Sequence, residues 1–145
     1  MSNIDFETED LESLKISQLK RVADYWQRQY LLKNADRNGY GKILCPIKNT
    51  YFSEEKMQAS HFIDRSKMCT RYNKNNVWLI SSQSNMWDAK EKVEGYKSKH
   101  HRDFELMLID KIGEKKFKEL LDKSKNYCIF AKKDYIDIIK NFKNG

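Results

Sequence analysis

Ala59-Ser60-His61-Phe62-Ile63-Asp64-Arg65-Ser66 is followed by Thr70-Arg71-Tyr72-Asn73-Lys74-Asn75-Asn76-Val77-Trp78-Leu79, and then by Ser81-Ser82-Gln83-Ser84-Asn85. A histidine closes one short apolar run, an asparagine opens the next about 15 residues on, and a second asparagine follows nine residues later. The run over residues 57–62 reads as extended and residues 64–74 as a polar loop. Residues 77–80, rich in β-branched and aromatic side chains, read as a compact strand. Ser84 can cap a helix that begins at Asn85. The order is therefore strand, loop, strand, helix, with one chemically useful side chain at each junction.

Those side chains suit phosphodiester hydrolysis, which needs a base for water, a cation for the developing charge, and a grip on the phosphate. His61 is the natural base, because an unperturbed imidazole with a pKa near 6.5 is largely neutral at neutral pH. The plainer reading is a strand-end histidine satisfied by a backbone carbonyl. Asn76 is expected to bond backbone across the loop and so fix the histidine, or else to be a simple turn asparagine. The amide oxygen of Asn85 suits Mg²⁺ or Mn²⁺, hard cations that take oxygen ligands and keep several waters. One amide oxygen holds such an ion weakly. Asp88, one helical turn further on, or Asp64 in the loop is the candidate second ligand. Arg65 and Arg71 flank the loop and can hold phosphate by bidentate contacts, or can be ordinary surface charges. His100, His101 and Arg102, with Lys97 and Lys99, form a basic cluster suited to a DNA backbone, or to a solvated helix start.

Outward from this centre, apolar residues at Leu19, Val22, Ala23, Trp26, Tyr30 and Leu31 predict an amphipathic helix over residues 17–33. Asn38-Gly39-Tyr40-Gly41 breaks it as a loop. Residues 42–46 and 49–51 read as a strand and the exit from a turn. Beyond the centre, Phe104, Met107, Leu108 and Ile112 predict a helix broken at Gly113. Phe117, Leu120 and Leu121 predict another, and Tyr135, Ile136, Ile138, Ile139 and Phe142 a terminal one. The fold class is α+β: a small β-rich centre flanked by an N-terminal helix and about three C-terminal helices.

At 145 residues the chain has the length of one domain. Residues 1–14 carry five acids and no base and read as a flexible leader, with a single domain from residue 15 to residue 145. Removing those five acids leaves 16 against 28 bases, a net +12 on the rest of the chain, where the whole carries +7. So basic a body favours a polyanionic partner, DNA or RNA first. No apolar run approaches a membrane span, and no signal peptide precedes the acidic start. Three cysteines, Cys45, Cys69 and Cys128, form no even set and no C-x-x-C pair, which favours a reducing cytoplasm.

These residues resemble the NinG (Rap) recombination proteins of lambdoid phages, which have an HNH-type ββα-metal nuclease centre and act on branched DNA. The resemblance runs from about residue 15 to the C-terminus. Ala59-Ser60-His61-Phe62 stands where that family has Ala-Gly-His and an aromatic. Arg71-Tyr72-Asn73 with Asn76-Val77 follows its pattern of Arg, aromatic, polar residues, Asn, aliphatic. Asn85 stands where an asparagine follows the family's second cysteine pair, and the helix from Phe104 to Gly113 matches the one after the nuclease centre.

The family's two zinc knuckles are mostly lost. They read Cys45-Pro46-Ile47-Lys48 and Ser81-Ser82-Gln83-Ser84 here, and serine is a poor zinc ligand. No structural zinc is expected, and apolar packing around Tyr51, Phe52, Trp78 and Trp87 is expected to replace it. Ser60 stands where many ββα-metal nucleases place a carboxylate or histidine.

The resemblance implies a Mg²⁺- or Mn²⁺-dependent DNA endonuclease of a phage or prophage recombination system, working in the bacterial cytoplasm on branched, Holliday-junction-like DNA. Symmetric cutting of a four-way junction would call for a homodimer. The competing expectation is a catalytically degenerate relative that keeps DNA binding or a host-protein interaction. A third is an RNA-directed nuclease toxin.

Overall fold

Among the described residues, helical periodicity and short extended runs produce α1 (Ile16–Lys33), β1 (Ile43–Cys45), β2 (Thr50–Phe52), β3 (Met57–His61), α2 (Met68–Arg71), β4 (Val77–Ser81), α3 (Lys99–Ser124) and α4 (Lys132–Asn144). The computed structural model describes residues 4–82 and 99–145. The class is α+β, with two small antiparallel sheets, β1–β2 and β3–β4. The chain forms two compact units. One comprises Met1–Asn34 with Cys128–Gly145, the other Ala35–Tyr127.

In the first unit α1 packs on α4. Leu19, Val22, Ala23 and Gln27 of α1 are buried at i, i+3, i+4 and i+8, the stripe that a 3.6-residue period puts on one face. Tyr135, Ile136, Ile139 and Phe142 form the buried stripe of α4, and the rings of Tyr30 and Phe142 meet at 5.5 Å. The acidic leader, expected as a flexible tail, is tied down along its described part. Trp26 donates its indole N–H to the Phe6 carbonyl at 2.9 Å. The Phe6 ring stacks on Tyr25 at 5.0 Å, and Leu11 is buried in a 3-10 turn, Leu11–Ser13, that touches α4. The apolar residues interleaved among the acids, Phe6 and Leu11, supply the burial that charge counting overlooks.

The second unit holds both sheets. β3 and β4 pair from Met57↔Ser81 to His61↔Val77, and β1 pairs with β2 from Ile43↔Phe52 to Cys45↔Thr50. β1 also touches β4. Cys45 and Ser81, where the resemblance would set the two knuckles, are both 0% exposed. Burial here is aliphatic, through Ile43, Met57, Val77 and Ile80. The expected aromatic substitute lies further out: Tyr51 is exposed, Phe52 and Trp78 are half-buried, and Trp87 is outside the described residues. The helix over α3 is interrupted at Gly113, whose φ of 85° and ψ of 160° leave the helical region. Phe104 before the break and Phe117 after it both reach Phe62, at 5.3 and 5.6 Å between ring centroids.

Of the three cysteines only Cys45 carries a free thiol. Among the described residues no helix is long and apolar enough to cross a membrane.

Candidate catalytic site

β-pairing carries His61 to the end of its strand, opposite the first residue of β4. Between them residues 62–76 leave the sheet and return, and buried backbone groups in such a loop need partners. Asn76 supplies them. Its backbone carbonyl accepts from Phe62 N–H at 2.9 Å. Its side-chain oxygen accepts from Ile63 N–H at 2.7 Å, and its amide donates to the carbonyls of Ile63 and Thr70, each at 3.1 Å. The side chain is 0% exposed. An asparagine is the fitting residue, because one planar amide offers acceptor and donors together. Asn76 thus bonds backbone across the loop.

The loop contains a feature absent from the sequence expectation: the short helix α2, which packs on α3. Its last residue, Arg71, presents a backbone carbonyl 3.0 Å from His61 Nε2. A carbonyl can only accept, so Nε2 carries the hydrogen, and Nδ1 of the neutral ring is then the acceptor nitrogen. The same bond satisfies a strand-end histidine and would orient a general base, so it is compatible with either reading.

Arg71 differs from its expected role. It is 6% exposed, its guanidinium lies 5.6 Å over the Tyr72 ring, and Nη1 donates to the Arg65 carbonyl at 3.0 Å. A guanidinium buried this way holds the loop rather than facing a phosphate. Arg65, whose backbone it holds, has the exposed side chain. Asp64 is exposed too, but Oδ1 accepts from Ser66 N–H at 2.8 Å and closes a turn. Ser60 turns to the buried side, with its hydroxyl directed to the Gln58 carbonyl at 3.4 Å.

The histidine pair on α3 splits. His100 is buried and meets Phe104 edge-on at 5.9 Å. His101 stacks on Phe62 at 4.8 Å with an interplanar angle of 16°. Both serve packing, and among the described residues of that cluster Lys99 and Arg102 are exposed, while Lys97 lies outside them. Asn85 and Asp88 lie outside the described residues. Among those described, no group of three or more His, Cys, Asp and Glu side chains is arranged to hold a metal ion.

The structure therefore brings Asn76, Asp64, Arg65 and Arg71 together in the loop that follows His61, with His101 stacked on that loop's Phe62 and His100 packed against Phe104. The Arg71 clamp was not foreseen; the only hint was its place between a polar loop and an aromatic. No protein-family model, curated protein or solved structure matches the chain. The resemblance to the phage recombination proteins rests on the motif residues alone.

Proposed function

We propose that this chain is a DNA endonuclease that hydrolyses phosphodiester bonds by ββα-metal (HNH-type) chemistry. Branched DNA of phage recombination is the substrate class that the motif resemblance suggests. The observation that carries the reading is the His61–Arg71 carbonyl bond, inside a loop fixed by Asn76.

His61 Nδ1 takes the proton of the attacking water. As the ring becomes cationic, its Nε2–H bond to the Arg71 carbonyl becomes charge-assisted and shortens, so the carbonyl stabilises the transition state more than the ground state. Asn76 holds both ends of the loop and keeps that carbonyl in place. Arg65 supplies a guanidinium able to grip a non-bridging phosphate oxygen. A Mg²⁺ or Mn²⁺ ion would supply Lewis-acid stabilisation of the phosphorane charge. Asn85 with Asp88 or Asp64 would hold it.

The test is incubation of supercoiled plasmid and a synthetic four-way junction with purified protein, in Mg²⁺, Mn²⁺ or EDTA, beside His61→Ala. Cutting that requires the ion and disappears in the variant supports the proposal. Binding of equal strength in both, with no cuts, selects the DNA-binding alternative. Cutting of RNA in preference to DNA selects the toxin.

A further inference from the structure

We propose that the ribbon spanning residues 36–52 is a contact for unpaired nucleotides, with Tyr40 as a base-stacking residue. The inference takes the polymer from the nucleic-acid reading above, and it concerns binding rather than cleavage.

Tyr40 is 90% exposed. A mobile loop would explain that cheaply, but this turn is braced. Asn38 Oδ1 accepts from the N–H groups of Tyr40 and Lys42, each at 3.0 Å. Backbone bonds run from Asn38 N–H to the Lys42 carbonyl and from Gly41 N–H to the Asn38 carbonyl, again at 3.0 Å. Arg37 ties the far side, donating to the Gly41 carbonyl at 3.0 Å and to the Glu54 carboxylate at 2.9 Å. Gly41 closes the turn with a φ of +77°, a conformation that favours glycine. An aromatic ring held out on a rigid base loses little conformational freedom when it stacks.

The ribbon continues the same chemistry. Tyr51 opposes Leu44 in the β1–β2 register, on the face away from the buried Ile43 and Cys45, and is itself 39% exposed. Lys42 and Lys48 are exposed along it. Exposed rings interleaved with lysines, on a body of net charge +12 outside its acidic leader, match single-stranded nucleic acid. Bases offer π-faces and the backbone offers phosphates. A protein partner would be met by apolar side chains in one continuous patch rather than by rings separated by lysines. Branched DNA offers unpaired bases at its crossover, which is where such a ribbon would act.

The experiment is fluorescence anisotropy with labelled oligothymidylate and a labelled blunt duplex, in EDTA at low salt so that cleavage plays no part. The proteins are the parent, Tyr40→Ala, Tyr40→Phe and Tyr40→Trp. Tyr40→Ala should weaken oligothymidylate binding about 10-fold and change duplex binding little, while Tyr40→Phe stays near the parent. Tyr40→Trp should bind oligothymidylate with a change in tryptophan emission that the parent does not give. Circular dichroism of each variant shows whether the fold is kept. Equal single-strand binding by the parent and Tyr40→Ala overturns the inference while leaving the nuclease proposal standing. A parent that binds no DNA overturns both.

Discussion

Nε2 of His61 lies 3.0 Å from the backbone carbonyl oxygen of Arg71, ten residues further along the chain. A side chain at a strand end is thereby coupled to a helix end, and the bond fixes which ring nitrogen carries the hydrogen. The tautomer is a matter of hydrogen-bond logic. Nitrogen chemical shifts of the His61 ring should report protonated Nε2 and unprotonated Nδ1 at neutral pH; the reverse assignment would remove the base from its role.

Asn76 should be the most sensitive polar position in the loop. Asn76→Ala deletes three side-chain bonds at a site with no exposure. It leaves the N–H of Ile63 and the carbonyls of Ile63 and Thr70 without those partners, which should cost about 3 kcal/mol. Asn76→Asp should also destabilise, because a carboxylate would face two carbonyls. Urea unfolding checks both; a loss under ~0.5 kcal/mol contradicts the clamp.

Arg65 and Arg71 should separate in DNA binding. Arg65 is exposed and Arg71 is 6% exposed. If Arg65 meets a phosphate, Arg65→Ala should lower the slope of log affinity against log salt by about 0.9. Arg71→Lys should leave that slope unchanged yet slow cutting, because the loop that positions His61 loosens. A matching slope change for Arg71→Lys would return it to the phosphate.

Gly113 should resist replacement for a backbone reason alone. Its φ of +85° is left-handed, and nothing lies within 4 Å of an added Cβ. Gly113→Ala should therefore cost about 1–2 kcal/mol without a clash, read as a drop in Tm. Gly113→Asn should be no better tolerated, since a ψ of 160° lies outside the left-handed helical well that Asn enters.

Much of this architecture could be read from residue pattern. The period of Leu19, Val22, Ala23 and Trp26 marks α1, and the extended runs over 57–62 and 77–80 mark two strands, which the structure pairs over Met57–His61 and Val77–Ser81. Gly113 marked its own break. What escaped was set by tertiary packing. α2 is four residues long, too short for periodicity to declare. The burial of Arg71 depends on a carbonyl six residues earlier in the chain. His101 looked like a surface cation until Phe62 was seen stacked against it. The acidic leader looked like a tail because five charges dominate its composition, while Phe6 and Leu11 govern its packing.

Chemical rescue of His61→Gly tests the central claim most directly. Single-turnover cleavage of a four-way junction in Mg²⁺ is measured for the parent and the variant, with and without added imidazole. A base at this position predicts cutting by the parent, loss of at least ~100-fold in the variant, and partial recovery with imidazole. A variant that cuts at the parent's rate, or a parent that cuts nothing under any divalent ion, contradicts it.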